Sequence, residues 1–129
     1  MANVIHINEP REISRIVELI HDCWLDANLI VFDSEKSTLS IRYLKKLGSQ
    51  SSFVNHVRFP AIECFLRISR VESFSVQDKQ KVRYYDVDSV AYDPTSRCVE
   101  LRTGVPIEIR VLVTDFELTV EETDTVVQG

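Results

Sequence analysis

The stretch Val105-Pro-Ile-Glu-Ile-Arg-Val-Leu-Val113 places an apolar residue at every second position, in the longest such run of the chain. Side chains of a β-strand point alternately to opposite faces, so this period of two predicts a strand with one buried face. Because the run is the longest, we expect it to be a central strand. The sequence therefore predicts a protein built mainly from β-sheet.

Shorter segments with the same alternation lie on both sides of this stretch. The further predicted strands cover residues 29–32, 39–43, 62–69, 74–76, 82–85, 87–92, 98–102 and 116–120. Residues 33–37 and 93–96 carry the Asp, Ser and Pro residues that favour turns between antiparallel strands. Residues 45–60 have the composition of a long surface loop, and the residues from about Thr123 are expected to fray.

One amphipathic helix is predicted ahead of these strands. Asn8 and Pro10 suit the cap and the first turn of a helix. From there to about residue 24, apolar residues recur with a helical period and form one stripe: Ile13, Ile16, Val17, Ile20 and Trp24. The sequence thus predicts an α+β fold, in which one N-terminal amphipathic helix packs on a mostly antiparallel β-sheet or small sandwich. We expect a single domain over residues 1–129.

Composition excludes several classes of protein. With 129 residues, 44% of them hydrophobic, the chain can bury a core without disulfides or a structural metal, and no metal or cofactor is expected. Cys23, Cys64 and Cys98 are widely spaced and form no CxxC pair, which favours a reducing, cytoplasmic setting. The N-terminus lacks the pattern of a signal peptide, and no long apolar run predicts a membrane span.

The net charge of −5 comes from the end of the chain. Five acidic residues and no basic residue follow Val113, whereas the preceding part is balanced. Such a chain lacks the broad positive field of a nucleic-acid binder. Two interpretations remain open: an acidic strand presented to a basic partner, or a solvated edge that prevents aggregation. The predicted partner-binding residues are Asp115, Glu117, Glu121 and Glu122.

The densest group of reactive side chains is His21-Asp-Cys-Trp24. On a regular helix these side chains point in different directions, which favours a packed helix end over a catalytic site. The pair His21 and Asp22 resembles that of the metal-dependent phosphohydrolases named after their His-Asp pair. A small metal-dependent hydrolase using His21 and Asp22 is therefore one alternative, although His6 and His56 lie on separate elements.

Two stretches combine basic and aromatic residues: Arg42-Tyr-Leu-Lys-Lys46 and Lys79-Gln-Lys-Val-Arg-Tyr-Tyr85. Stacking on the aromatic rings and contacts to phosphates would suit single-stranded nucleic acid. Tyr43 and Tyr84 equally fit inward strand positions. A single-stranded nucleic-acid binder is thus a further alternative.

The order of segments resembles small uncharacterised bacterial proteins. A leading helix ends in Ile20-His-Asp-Cys-Trp24, and residues 29–33, a polar turn, residues 39–43 and several hairpins follow. Some of these proteins are similar to immunity proteins that neutralise toxins. The resemblance covers about the first third of the chain and implies a non-enzymatic fold that works through a binding surface.

The preferred interpretation is a non-catalytic protein-interaction module. We expect a protein partner and self-association, as a homodimer, through an exposed sheet edge or face. Nucleic-acid and membrane partners are not expected.

Overall fold

The computed structural model describes residues 3–46, 60–104 and 107–128, the last of them by its backbone. The described residues form nine strands and one short helix, which a 3₁₀ turn (Pro10–Glu12) precedes. In chain order they are β1 (Asn3–Ile7), α1 (Ile13–Ile20), β2 (Trp24–Asp33), β3 (Thr38–Lys46), β4 (Pro60–Ile68), β5 (Val71–Gln77), β6 (Tyr84–Asp93), β7 (Cys98–Thr103), β8 (Glu108–Val113) and β9 (Leu118–Gln128). The prediction of a sheet-dominated fold with antiparallel strands and a small helix is confirmed.

The strands follow the order β1-β9-β4-β3-β2-β6-β7-β8-β5, and every neighbouring pair is antiparallel. Strand β2 joins the two halves of this order. Its residues 24–26 pair with residues 84–86 of β6 on one side, and residues 24–25 and 30–33 pair with β3 on the other. A register shift between Leu25 and Ile30 lies where β2 leaves β6, as expected for a strand that bends at a bulge.

Residues from both halves of the strand order share one apolar core, to which α1 and all nine strands contribute. Alternate residues face it, such as Leu39 and Ile41 of β3 or Ile109 and Val111 of β8, which are buried. Burial of each such side chain stabilises the fold by roughly 1.5–3 kcal/mol. The period of two in the sequence thus identified the core-facing residues of these strands correctly.

The predicted central strand lies elsewhere in the order. Strand β8 is the last but one, next to β5. A strand beside an edge strand buries one face as completely as a central strand does, so the length of the alternating run could not distinguish the two positions. Val105 and Pro106, which belong to that run, lie outside the described residues.

The two ends of the chain contain more strand than predicted. Strand β1 was missed; it pairs with residues 118–122 of β9. The expectation that the chain frays from Thr123 is wrong, because β9 continues to Gln128 and its last residues pair with the start of β4. The Thr123 hydroxyl also donates a hydrogen bond to Glu63 O at 2.7 Å. Of the predicted 45–60 loop, residues 47–59 lie outside the described residues.

The helix is shorter than predicted. Glu9, not Asn8, occupies the N-cap of the 3₁₀ turn, with no side-chain cap hydrogen bond. Helix α1 ends at Ile20 because His21 is extended (φ −59°, ψ 133°) and Asp22 is left-handed (φ 66°). Asp22 N donates to Val87 O at 3.0 Å, so pairing with β6 replaces the next helical turn.

The apolar stripe divides accordingly between two elements. Ile16 and Ile20 are buried in the core, and Val17 packs at its margin. Trp24 lies in β2 and packs in a second cluster with Leu44 and others, so its predicted place on the helix is wrong. None of the described helical segments has the length and apolar character needed to cross a membrane.

Candidate functional site

Glu117, one of the predicted partner-binding acids, is paired within the fold. Its Oε2 lies 2.8 Å from His6 Nε2, and Arg70 Nε donates to its Oε1 at 3.0 Å. Hydrogen bonding with His6, joined by that from Arg70, holds the pKa of Glu117 below its ordinary value. The carboxylate therefore fastens the start of β9 to β1 and to the turn between β4 and β5.

Two further predicted acids also pair with bases, one on the neighbouring strand β4 and one on β3, the strand beyond it. Glu121 lies 2.9 Å from Arg67 of β4, and Glu122 lies 2.7 Å from Lys45 of β3. Asp115 accepts a hydrogen bond from the backbone N–H that follows it. Over residues 118–122, β9 lies between β1 and β4, so the interpretation of this stretch as an edge is wrong. The partner-binding role of these acids stays a prediction, but Glu117, Glu121 and Glu122 already have ion-pair partners within the fold.

His21 and Asp22 meet, although the regular helix predicted that they would not. His21 Nε2 lies 3.5 Å from Asp22 Oδ2, and His21 Nδ1 lies 3.0 Å from Asp88 O. Both imidazole nitrogens thus have neighbours within the protein, in an exposed turn. Among the residues that the structure describes, no group of three or more His, Cys, Asp or Glu side chains could hold a metal ion.

The neighbouring thiol is not poised for nucleophilic chemistry. Cys23 is buried, and its Sγ donates to Leu19 O at 3.4 Å. Burial, reinforced by the nearby Cys64, raises the pKa of Cys23 to about 12. A thiol with such a pKa remains protonated near neutral pH.

The aromatic residues of the two basic stretches are mostly covered. Tyr43 and Tyr85 are buried in the core. Trp24, which lies outside the two stretches, is 6% exposed, and Nζ of Lys46 lies 4.6 Å from the centroid of its ring. Tyr84 packs against Trp24 at a centroid distance of 6.3 Å. Stacking of bases on these rings would require displacing the protein's own side chains.

The arginines of the same stretches bind a buried carboxylate that sequence reasoning missed. Asp26 of β2 is fully buried, and Arg83 donates to it from Nε and Nη2, each at 3.1 Å. Arg42 donates to Asp26 at 2.9 Å and to Glu63 at 2.7 Å, and Asn28 N donates to Asp26 at 3.0 Å. The network connects β2, β3, β4 and the loop before β6. Its only sequence signal is a lone acid within the apolar run of β2.

A group of exposed apolar side chains lies on the second half of β2 and on β5. We call it the β2/β5 surface; its members are Phe32, Phe74 and Val76, which are 36% to 41% exposed. Their register partners Leu39, Val111 and Ile109 are buried, so the three side chains share the core-facing side of the sheet, whereas Val31, which pairs with Ser40, points to the opposite side. The ring centroids of Phe32 and Phe74 lie 5.2 Å apart, so the two strands meet through this pair. Grouped apolar side chains in contact with solvent mark interaction sites, whereas single ones are ordinary.

Both strands also have an open backbone edge here. Strand β5 pairs with β8 on one side, and no strand of the described residues pairs with its other side. Strand β2 pairs with β6 only as far as residue 26. No strand of the described residues pairs with the later part of β2 on that side. Residues 72–77 are all exposed. Residues 71–77 contain no Lys, Arg or Pro, the residues that commonly protect an edge strand.

Backbone hydrogen bonds join the segments around this surface. Val71 N at the start of β5 donates to Ser37 O at 2.8 Å, in the turn between β2 and β3, and Ala27 N of β2 donates to Arg83 O at 2.7 Å, in the loop before β6. The open edges therefore have a defined relative position. Sequence reasoning placed strands here but could not find the surface, because alternation does not show which strands lack a neighbour.

Comparisons of the chain with protein-family models, with curated proteins and with solved structures found no match in any of the three.

Proposed function

We propose that this protein is a non-catalytic protein-interaction module and that the β2/β5 surface is its binding site. The observation that carries the proposal is the coincidence of exposed apolar side chains with two open strand edges. Apolar area supplies affinity, and open edges supply backbone donors and acceptors for an added strand. A protein partner can use both.

The acidic residues of β9 have a smaller part in this proposal. Glu117, Glu121 and Glu122 already pair with His6, Arg67, Arg70 and Lys45. An incoming basic partner would have to compete with these contacts. Their proposed role is to hold β9 against its neighbours, while Asp115 at the start of the segment remains exposed.

The remaining proposals concern the cellular setting, the likeness to other proteins and the alternative functions. All three cysteines are free thiols, which suits the proposed cytoplasmic setting. The proposed likeness to bacterial immunity proteins agrees with a role in protein binding, but it assigns no residue. The His21 and Asp22 pair and the basic-aromatic stretches do not add a second candidate, because both imidazole nitrogens have neighbours within the protein and the rings of Tyr43 and Tyr85 are buried.

The test compares two valine variants on exposed strands. Val76 on the β2/β5 surface is 36% exposed, and Val126 on β9 is 57% exposed. Tagged wild type, Val76→Lys and Val126→Lys are used to capture proteins from cells of the natural host, and bound proteins are quantified by mass spectrometry. A captured partner is then purified and its affinity for each variant is measured by calorimetry.

We expect Val76→Lys to weaken partner binding at least about tenfold and Val126→Lys to leave it nearly unchanged. A second variant, Phe32→Ser, should weaken binding from the β2 side. If the partner binds wild type and both β2/β5 variants equally, the binding surface lies elsewhere and the proposal is wrong. Equal thermal midpoints of the variants exclude loss of folding as the cause.

A further inference from the structure

We propose that the open edge of β5 binds an extended segment of a partner protein as an added antiparallel strand. The segment has apolar residues opposite Phe74 and Val76 and an acidic residue between them, opposite Ser75. This inference rests on the proposed function, because it names the chemistry of the partner at the β2/β5 surface. Three observations carry it: an internal two-fold relation of the sheet, the strand that covers the equivalent edge, and the charge of Arg110.

The sheet contains the same four-strand arrangement twice. With β1 set aside, the strand order is β9-β4-β3-β2-β6-β7-β8-β5. This order reads the same from either end when β2, β3, β4 and β5 exchange places with β6, β7, β8 and β9. Strands β2 to β5 thus form a first repeat and β6 to β9 a second. The last strand of each repeat pairs with the other repeat, β5 with β8 and β9 with β4.

The pairing registers of the two repeats agree residue by residue. Leu25 of β2 pairs with Tyr85 of β6, and a shift of 60 positions exchanges the two strands about this pair. The same shift carries the pairs between β2 and β3 onto those between β6 and β7. Examples are Ile30 and Ile41 with Val90 and Leu101, and Asp33 and Thr38 with Asp93 and Cys98.

Backbone contacts between the repeats follow the same relation. Val87 N donates to Cys23 O at 3.0 Å, and Ala27 N donates to Arg83 O at 2.7 Å. A shift of 60 positions exchanges the two hydrogen bonds. Because each bond joins segments far apart in the chain, the two-fold relation is a property of the tertiary structure and not only of the hairpins.

The last strands of the two repeats also correspond. In each half, three paired residues lie side by side across three strands: Leu39, Ile68 and Leu118 on β3, β4 and β9, and Val99, Val111 and Phe74 on β7, β8 and β5. The first members of the two rows are 60 positions apart, so Phe74 is the counterpart of Leu118. Two residues further along each strand, Val76 is the counterpart of Val120.

Strand β1 shows what an edge of this kind binds. It pairs antiparallel with β9, with Ile7 opposite Leu118 and Ile5 opposite Val120. Leu118 and Val120 are fully buried there, whereas their counterparts on β5 are 41% and 36% exposed. No strand of the described residues takes the place of β1 on β5. The two-fold relation therefore assigns to this edge an antiparallel strand whose apolar residues alternate as those of β1 do.

The outward face of the same edge carries a positive charge. Arg110 of β8 is exposed and lies opposite Ser75. Its counterpart Arg67 pairs with Glu121 of β9 at 2.9 Å, but on β5 the counterpart of Glu121 is the uncharged Gln77. Arg110 therefore lacks the acid that the other half of the sheet supplies.

An acid on the added strand, opposite Ser75, can supply that charge. Glu100 of β7 lies opposite Arg110 on the other side, but no ion pair joins Arg110 to an acid of the described residues. The acid would lie two strands from Arg110. Lys45 of β3 and Glu122 of β9 are two strands apart as well, and they form an ion pair at 2.7 Å. Side chains of this length thus bridge the distance.

Fluorescence anisotropy of labelled synthetic peptides tests the proposal. One peptide copies residues 2–8 of this chain with the change His6→Glu, so that it keeps both isoleucines of β1 and places an acid between them. A second peptide carries His6→Lys instead. Protein is titrated up to about 500 μM, which detects a Kd in the micromolar range.

We expect wild type to bind the His6→Glu peptide about fivefold more tightly than the His6→Lys peptide, because cross-strand charges of opposite sign attract and like charges repel. The protein variant Arg110→Glu should invert this preference. The control Arg102→Glu, at an exposed position of β7, changes the net charge equally and should preserve it. Val76→Lys should weaken binding of both peptides at least about tenfold, which locates them on β5 and not on β9.

Failure of both peptides to bind wild type overturns the inference, and so does equal binding of the two, a comparison that depends on no variant. A preference that Arg110→Glu leaves unchanged, or undiminished binding to Val76→Lys, also overturns it. If a captured partner loses affinity for Val76→Lys while wild type binds neither peptide, this inference alone fails. A captured partner that binds Val76→Lys and Phe32→Ser as tightly as wild type overturns the proposed function as well.

Discussion

Replacing the buried Asp26 by asparagine should destabilise the protein by about 3 kcal/mol. Asp26 is fully buried and accepts hydrogen bonds from Arg42, Arg83 and Asn28 N. Breaking a buried ion pair by removing one partner costs roughly 3–5 kcal/mol. We expect the lower end of this range, because the Arg83 side chain is 47% exposed and can be hydrated, and because Arg42 keeps Glu63.

The same substitution should change the pH dependence of stability. Burial raises the pKa of Asp26, but the hydrogen bonds from Arg83, Asn28 and Arg42 outweigh burial and leave the pKa below its ordinary value. The unfolded chain therefore takes up the proton at a higher pH than the folded protein does. The contribution of Asp26 is complete above about pH 4 and is lost as the pH falls through the lower, folded-state pKa. The difference between wild type and Asp26→Asn should be full at pH 7 and shrink below about pH 4.

Urea unfolding of both proteins, followed by circular dichroism at several pH values, measures this difference. The exposed Asp88→Asn on β6 is the control and should change the free energy of unfolding by less than about 0.5 kcal/mol. A loss below about 1 kcal/mol for Asp26→Asn at pH 7 would contradict the role of the buried network. So would a difference that stays constant through the acidic range.

Two further predictions concern the core and the thiols. Ile16→Ala should reduce the free energy of unfolding by roughly 2–5 kcal/mol, because Ile16 is fully buried, whereas Ser14→Ala on the exposed side of α1 should leave the urea midpoint nearly unchanged. Under native conditions iodoacetamide should label Cys98 well before Cys23 and Cys64, because Cys98 is partly exposed and burial raises the pKa of the other two, to about 12 and about 11. Peptide mass spectrometry measures the order, and early labelling of Cys23 would show that the core opens there.

Local patterns were sufficient where a segment's structure depends on its own residues. Asp33 and Asp93 accept hydrogen bonds from backbone N–H groups two residues later, as their turn-forming side chains predicted. Strand β7 was recognised for the same reason, whereas the two strands predicted at 82–85 and 87–92 are one strand, β6. A period of two and a turn are both properties of a few neighbouring residues.

The end of the helix shows where local patterns failed. The apolar residues continue in helical register from Ile20 to Trp24, so the sequence favours a longer helix. In the structure Asp22 N instead donates to Val87 O, and Val87 N donates to Cys23 O. These partners lie more than sixty positions away along the chain, and hydrogen bonds to a neighbouring strand outweigh the modest preference of a few residues for helix.

The sequence by itself determined which residues face the core of most strands, that the strands pair antiparallel, and where several turns lie. Only the tertiary structure decided which edges remain open, that Asp26 is buried between Arg42 and Arg83, and that Glu117, Glu121 and Glu122 pair with Arg70, Arg67 and Lys45. The reason is physical. Alternation reports whether a side chain is apolar, whereas the partner of a charge or a strand edge is set by the strand order, which brings together residues far apart in the chain.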